Sequence, residues 1–388
     1  MNESSTIHNG LEGIVAAETS LSMVDGSAGE LVIAGFPVAE LAMNATFEET
    51  AYLLWYGALP DQEQLTAFRA DLAGRREIAA VAYDLLLAAA REKADSMDAL
   101  RMVAGTVGLR GSRTDDEAAR DLLAALPTIV AAYWRIVSDR PPVAPRADLG
   151  HAANYLYMLS GEIASEERVR GLETYLNTVV DHGLNASTFT ARVIASTNSD
   201  LISAIAGAIG ALKGPLHGGA PGPALDMVFE IGTAARAEEV LRKKIESGEK
   251  LMGFGHRVYK VRDPRADVLA AAAERMFTRG GDMSLYELAR AVEAVALRLL
   301  EEYKPGRNLQ TNVEFYTALL LHGLDLEVPL FTPTFAISRA AGWIAHCFEQ
   351  RRANRIIRPQ SVYRGDRDRR WVPAAARAKK PAAATLVS

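Results

Sequence analysis

Apolar positions recur at helical spacing along most of this chain. From Ala45 onward Ala51, Leu54 and Trp55 share one face, and Leu65, Phe68 and Leu72 share the next. Thr46-Phe47-Glu48-Glu49 has the form of a capping box before the first of these helices, and Gly57 can end it. Asp61, after Leu59-Pro60, caps the second. The spacing continues through 79–91, 97–109 and 116–137. Pro141, Pro142 and Pro145 then make a connector, and the pattern resumes over 166–180 with Val169, Leu172, Leu176 and Val179 in register. Residues 201–212 are apolar nearly all round, which predicts a helix buried on most sides. Ser284-Leu285-Tyr286-Glu287 reads as a further capping box. It opens a helix with Leu288, Val292, Val295 and Leu299 on its core face, stopped by Lys304-Pro305-Gly306. Only 10–35, with Ile14-Val15, Asp25-Gly26 and Val32-Ile33, suggests short strands and turns. The expected fold is mostly α, with many long helices and little sheet.

Composition narrows the class. At 388 residues one core usually divides, so two domains are expected. Apolar residues at 49% and charged residues at 23% are those of a soluble globular protein, and a net charge of -5 gives no reason to propose nucleic acid. The single Cys347 excludes an intramolecular disulfide and suits a reducing compartment. No run approaches the roughly 18 to 20 apolar residues of a membrane span, and Met1-Asn2-Glu3-Ser4-Ser5 lacks a secretory start. A cytoplasmic protein is expected. After Gly365 the chain turns rich in Arg, Lys, Ala and Pro and reads as a mobile tail over 365–388.

Four polar stretches set among glycines or apolar residues carry the candidate chemistry. Met252-Gly253-Phe254-Gly255-His256 precedes four cations, Arg257, Lys260, Arg262 and Arg265, with a turn expected at Asp263-Pro264. By itself it is either a basic surface turn or an anion-carrying loop with a histidine at its mouth. Asp181–Thr188 holds His182, and Gly214–Ala220 holds His217. Asn312-Val313-Glu314-Phe315-Tyr316 sets a lone carboxylate between apolar neighbours, a costly place unless it is exposed or partnered. Downstream lie Arg339 and Arg358. His8, His151, His322 and His346 are read as structural or surface residues. No histidine pair has metal-ligand spacing, so no metal is expected, and no glycine-rich strand–helix turn supports a nucleotide fold.

Taken together and in order, Asp181–Thr188, Gly214–Ala220, Gly255–Arg265 and Phe331–Trp343 resemble the citrate synthase family, over nearly the whole chain from Gly10 to Gly365. The resemblance implies an acyltransferase that converts the acyl group to alkyl on transfer. Acetyl-CoA condenses with oxaloacetate, the thioester is then hydrolysed to citrate and CoA, and the reaction belongs to the tricarboxylic acid cycle. It assigns Glu314 as the base, His217 as donor to the thioester oxygen and His256 as the group polarising the acceptor ketone. His182, Arg265, Arg339 and Arg358 match the acceptor dianion's partners, and arginine forks suit carboxylates. Met252, Gly253, Phe254, Gly255, Lys260 and Asn312 match CoA contacts. Arg307 is a phosphate candidate by charge alone, or else a solvated loop residue. His217, after Gly-Pro-Leu, is expected at a helix start that would keep it neutral. The family arginine at the Arg358 position reaches the partner subunit's site, so the resemblance implies a homodimer with shared active sites, coenzyme A thioester as substrate, and no permanently bound cofactor.

The family fold places a smaller helical domain, here 218–320, inside a larger one, here 1–217 and 321–364. Two departures stand out: Glu314 replaces the aspartate of most members, and Ala34-Gly35 stands where many have Arg-Gly. The longer N-terminal extension of the allosteric hexameric members is not seen, which favours the dimer. Two other readings stay open. One is 2-methylcitrate synthase using propionyl-CoA, because one methylene changes discrimination by only about 1–3 kcal/mol. The other is a catalytically weak paralogue that binds CoA or dicarboxylates.

Overall fold

The structure, a computed structural model, describes residues 7–111, 114–218, 221–256, 258–280 and 282–377, with Pro221 described by its backbone alone. They fall into two compact units, 17–357 and the pair of end segments 1–16 and 358–388. The unit of end segments has short 3-10 turns at Asn9–Leu11 and Ala374–Ala376, and Tyr363 donates to the Asp366 carbonyl at 2.7 Å. The expected tail begins in it; its remainder, with Lys379 and Lys380, lies outside the described residues, as does Met1-Asn2-Glu3-Ser4-Ser5.

The 17–357 unit opens with a small antiparallel meander of β1 (Ser22–Asp25), β2 (Glu30–Ile33) and β3 (Phe36–Pro37), with Ser22 opposite Ile33 and Val32 opposite Pro37. The Asp25 carboxylate accepts from the amides of Ser27 and Ala28, which closes the β1–β2 turn. The rest is helical: sixteen α-helices among the described residues. The first six are α1 (Val38–Asn44), α2 (Phe47–Tyr56), α3 (Gln62–Gly74), α4 (Ala80–Arg91), α5 (Ser96–Ala104) and α6 (Asp115–Val137). Next come α7 (His151–Ser160), α8 (Glu166–Val179), α9 (Ala186–Ser196), α10 (Leu201–Leu212) and α11 (Pro221–Ile231). The last five are α12 (Ala237–Glu246), α13 (Pro264–Gly280), α14 (Ser284–Tyr303), α15 (Val313–Gly323) and α16 (Phe331–Arg352). The mostly α fold is therefore the one the pattern predicts.

Local signals placed several ends well. Thr46 and Glu49 form the reciprocal capping box of α2, Asp61 does the same with Gln64 for α3, and Gly57 ends α2 at φ 82°. Other expectations need correction. Helix begins at Val38 rather than Ala45, and 97–109 divides into α5 and a 3-10 turn, Gly105–Arg110. At α14 the box does not form: the N-cap position is Met283, without a side-chain cap, and the Ser284 amide donates instead to Asp282. Helix α10 is buried along Leu201, Ala204, Ile205, Ala208, Ile209 and Leu212, while Ile202, Ala206 and Gly210 are only half-buried.

Helix α16 is the centre of the unit, packed by α2, α6, α8, α9 and α10. Between Phe331 and Cys347 every residue is buried except Thr332 and Phe335. Such a helix carries no amphipathic stripe, which is why hydrophobic periodicity does not reveal it. Trp55 donates its indole N–H to the Ala341 carbonyl at 3.0 Å. Gly342 passes so near the end of α8 that a Cβ there would lie 2.3 Å from the Val180 carbonyl oxygen. Beside it Asp181 accepts from Ser22 and faces His346, whose other ring nitrogen meets Arg192. Burial alone would raise the buried Asp181, but its contacts with His346 and Ser22 and the nearby charge of Arg339 hold it below the ordinary carboxylate range.

Gly342→Ala should overpack this junction and lower stability by about 1–3 kcal/mol. Urea denaturation checks it; an unchanged midpoint would show that α16 can shift at no cost.

Candidate active site

One cavity of about 470 Å³ lies within the 17–357 unit, and the glycine strip forms one wall. Gly253 and Gly255 both have positive φ, 87° and 82°, and a Cβ on Gly253 would come within 2.9 Å of Phe315. The two glycines let the strip lie flat against the 310–312 segment. Phe254 bridges Thr311, the Gly255 amide donates to the Gln310 carbonyl at 2.7 Å, and Asn312 donates through its amide to Gly253 and through its side chain to the Gly255 carbonyl. Asn312 also caps α15 by accepting from the Glu314 amide. The strip and the helix carrying Glu314 are thus one hydrogen-bonded piece.

His256 leaves this strip with its Nδ1 accepting from the amides of Val258 and Tyr259, at 3.1 and 3.0 Å. Backbone amides can only donate, so these two shorter contacts make Nδ1 the acceptor and put the neutral ring's proton on Nε2; the approach of Arg265 Nη2 to Nε2 at 3.4 Å is then a contact and not a hydrogen bond. His217 sits opposite, in the turn between α10 and α11. Its Nε2 accepts from the Ser187 amide and lies 2.8 Å from the Ser187 hydroxyl, leaving Nδ1 as the protonated nitrogen. The Ser187 amide that meets His217 belongs to the first turn of α9. The helix start expected just after the histidine falls at Gly219 and Ala220, which lie outside the described residues. Trp343, one turn beyond Arg339 on α16, donates to the same Ser187 hydroxyl at 3.0 Å.

The charges are arranged around two buried arginines. Asp263 receives Arg265 through Nε at 3.0 Å and Nη2 at 2.8 Å, and its second oxygen also accepts from the Val313 amide at the start of α15. Asp263-Pro264 is therefore a helix start, with Pro264 as the first residue of α13, and not the turn expected from the dipeptide. Arg339 donates Nε to the Val179 carbonyl at 2.7 Å and lies 4.6 Å from the centre of the Phe335 ring. Burial, and then the charge of Arg265, pulls Arg339 down to about 10, still fully ionised at neutral pH.

Burial and the nearby arginines act together on the imidazoles. His217 is lowered to about 4 by burial and by Arg339, His256 to about 4 by burial and by Arg265. His182 is pushed well below its ordinary value by burial and by both arginines. Glu314 moves the other way: burial raises it, and the positive charge of Arg265 only partly offsets that. Near neutral pH the cavity presents two neutral N–H donors and two fixed cations, beside one carboxyl group whose pKa is raised.

Most of the residues singled out in the sequence line this cavity: His182, His217, Met252, Gly253, Phe254, Gly255, His256, Arg265, Asn312, Glu314 and Arg339. Lys260 and Arg307 do not; both are exposed, Lys260 between the strip and α13 and Arg307 between α14 and the 310–312 segment. Arg358 belongs to the unit of end segments, where it is exposed. Arg257, Gly219 and Ala220 lie outside the described residues. Asp263, Tyr259, Ser187 and Trp343 were missed. An Asp-Pro-Arg helix start could have flagged Asp263, whereas the others act through contacts with distant parts of the chain. Among the described residues no group of three His, Cys, Asp or Glu side chains is placed to hold a metal ion, and no helix is long and apolar enough to cross a membrane.

The chain is similar to known proteins over nearly its whole length. A family profile described as "Citrate synthase, C-terminal domain" matches residues 10–360. A citrate synthase of Haloferax volcanii is 40% identical over 95% of this chain and 99% of its own. A 2-methylcitrate synthase of Mycobacterium tuberculosis is 39% identical over 95% and 93%. The structure of the Thermoplasma acidophilum citrate synthase, solved as a ternary complex with carboxymethyl coenzyme A and oxaloacetate, superposes with a TM-score of 0.86 at 30% identity, covering 96% of this chain and all of that one.

Removing Asp263 would leave Arg265 buried without its counter-charge and α15 without one acceptor at its start. Asp263→Ala should cost about 3–5 kcal/mol of stability, measured by urea unfolding. A loss below about 1 kcal/mol, the range of surface pairs, would mean that the pair is far more hydrated than its burial indicates.

Proposed function

The chain belongs to the citrate synthase family, and from that premise we infer that it condenses acetyl-CoA with oxaloacetate to give citrate and CoA. The observation that carries this reading is the meeting of His217, His256, Glu314, Arg265 and Arg339 around one cavity. In this reading Arg265 and Arg339, with His182, hold the acceptor's two carboxylates. His256 offers its Nε2–H to the ketone oxygen and makes the carbonyl carbon more electrophilic. His217 offers Nδ1–H to the thioester oxygen, where negative charge grows as the α-carbon loses its proton to Glu314. The new carbon–carbon bond then forms, and hydrolysis of the thioester releases CoA, which makes the enzyme an acyltransferase that converts acyl to alkyl.

Neutral donors suit this chemistry, because an imidazolium beside the base would weaken it. The raised Glu314 suits it too, since a stronger base narrows the gap to a weakly acidic α-carbon. The glycine strip Met252–Gly255 and Asn312 are the proposed CoA contacts within the cavity. Exposed Lys260 and Arg307 are proposed for its phosphates, which stay near solvent.

We keep the division into a larger helical part and an inserted one at 218–320 as part of the proposal. Its support is that the 218–320 part supplies the strip, His256, Arg265 and Glu314, while His182, His217 and Arg339 come from the remainder. Closure of one on the other would exclude water. We also propose a homodimer in which Arg358 serves the partner's site, and a cytoplasmic setting in which the lone, buried Cys347 stays a thiol. The M. tuberculosis relative, scarcely less similar than that of H. volcanii, favours propionyl-CoA as a second donor.

Thiol release with acetyl-CoA and with propionyl-CoA, each with oxaloacetate, tests the reaction and ranks the donors. No release with either would overturn the reading. Glu314→Gln should lower kcat by about 10²–10⁴-fold with KM for both substrates nearly intact. Because Glu314 acts ionised and its pKa is raised, activity should fall on the acid side at a pH above that of an ordinary carboxyl. The histidines titrate near 4 and stay neutral there. A Glu314→Gln enzyme that still exchanges the acetyl-CoA methyl protons at the wild-type rate removes Glu314 as base. Mixing inactive Arg358→Ala and His256→Ala dimers should restore activity after subunit exchange; none restored, with exchange demonstrated, removes the shared site.

A further inference from the structure

Tyr259 follows the glycine strip at the point where the chain turns toward α13. It is 3% exposed and is not among the residues that line the cavity, although its neighbour Val258 is. The hydroxyl lies 3.1 Å from Nε2 of His182, a residue 77 positions away. Its backbone amide donates to Nδ1 of His256 at 3.0 Å. Its ring stands 4.9 Å from the His256 ring and 5.7 Å from that of His182, and the Arg265 guanidinium lies 5.7 Å from its centre.

We propose that Tyr259 is a positioning residue of the acceptor half of the site, orienting His182 through its hydroxyl and His256 through its backbone amide. A phenol is a stronger hydrogen-bond donor than a neutral imidazole N–H, and imidazole nitrogen is the better acceptor. The hydroxyl therefore donates to Nε2, and His182 carries its proton on Nδ1. Burial pushes the phenol up to about 12, so the donor is present at every working pH. The loop is held at this height from outside. The Lys260 amide donates to the Gly26 carbonyl at 2.7 Å in the β1–β2 turn, where a Cβ on Gly26 would meet the Val258 carbonyl oxygen at 2.2 Å. The small hairpin thus braces Tyr259, and Tyr259 sets two histidines and lies against an arginine.

The inference rests on the reading that these residues hold oxaloacetate, and the test separates the two. Tyr259→Phe keeps the ring and removes the hydroxyl. In the full-length protein it should raise the oxaloacetate KM, and the dissociation constant by calorimetry, about tenfold, the scale of one lost hydrogen bond. The acetyl-CoA KM should stay within about twofold. In protein labelled with ¹⁵N-histidine, the His182 Nε2 signal should shift in Tyr259→Phe, while His256 keeps its proton on Nε2 because the backbone amide is unchanged. An unchanged oxaloacetate KM, or equal losses for both substrates with a lowered melting temperature, would overturn the proposal. A wild-type protein that neither binds nor consumes oxaloacetate would sink the functional reading instead. An unmoved His182 signal would then still count against Tyr259.

Discussion

Two arginines buried in one cavity set the terms for everything around them. Arg265 and Arg339 are almost wholly removed from solvent, yet both stay charged because each has a fixed counter-charge, Asp263 for one and Asp181 nearby for the other. Uncompensated, either would cost several kcal/mol by desolvation. Compensated, they form a positive field that is present before any ligand arrives. That field adds to burial in keeping the imidazoles of His182, His217 and His256 neutral. It also tempers the rise that burial imposes on Glu314. A dicarboxylate acceptor and a neutral-donor mechanism are both consistent with this one arrangement.

Helix ends do the orienting. The start of α9 supplies the Ser187 amide to His217, and the start of α15 carries Glu314 under an Asn312 cap. The start of α13 carries Arg265 behind Asp263, whose carboxylate also reaches the first amide of α15. Unsatisfied amides at helix starts are strong, directional donors. Here they fix ring tautomers and carboxylate positions without extra side chains. Helix α16 contributes from its interior instead, with Arg339 and Trp343 one turn apart on the face toward the cavity. Its two half-buried positions in the Phe331–Cys347 stretch, Thr332 and Phe335, are cavity residues as well.

Glu314, one methylene longer than the aspartate that the family resemblance leads one to expect, stands at the second position of α15. A longer side chain there moves the carboxylate outward, and the strip of Gly253 and Gly255 lies directly against that helix start. The backbone around Glu314 is therefore held by the Asn312 hydrogen bonds, so any adjustment for the extra methylene must be made by the side chain or by the helix as a body.

Local chemistry in the sequence was enough to determine the helical class, the capping box at Thr46, the cap at Asp61 and a glycine strip able to take positive φ; the candidate site residues came from the order of the motifs and the family they resemble. These are short-range matters, decided by side-chain spacing, backbone sterics and motif order. Tertiary structure alone decided that the Ser187 amide of α9 meets His217, that Asp263 joins Arg265 to α15, that Tyr259 reaches His182, and that Lys260 faces solvent. It also decided that α16 is buried from Phe331 to Cys347 except at Thr332 and Phe335, since such a stretch leaves no solvent-facing period to read. Each of these depends on groups far apart in the chain being brought to within a few ångströms. Hydrogen-bond direction and desolvation act over that distance in space, and no spacing along the sequence records them.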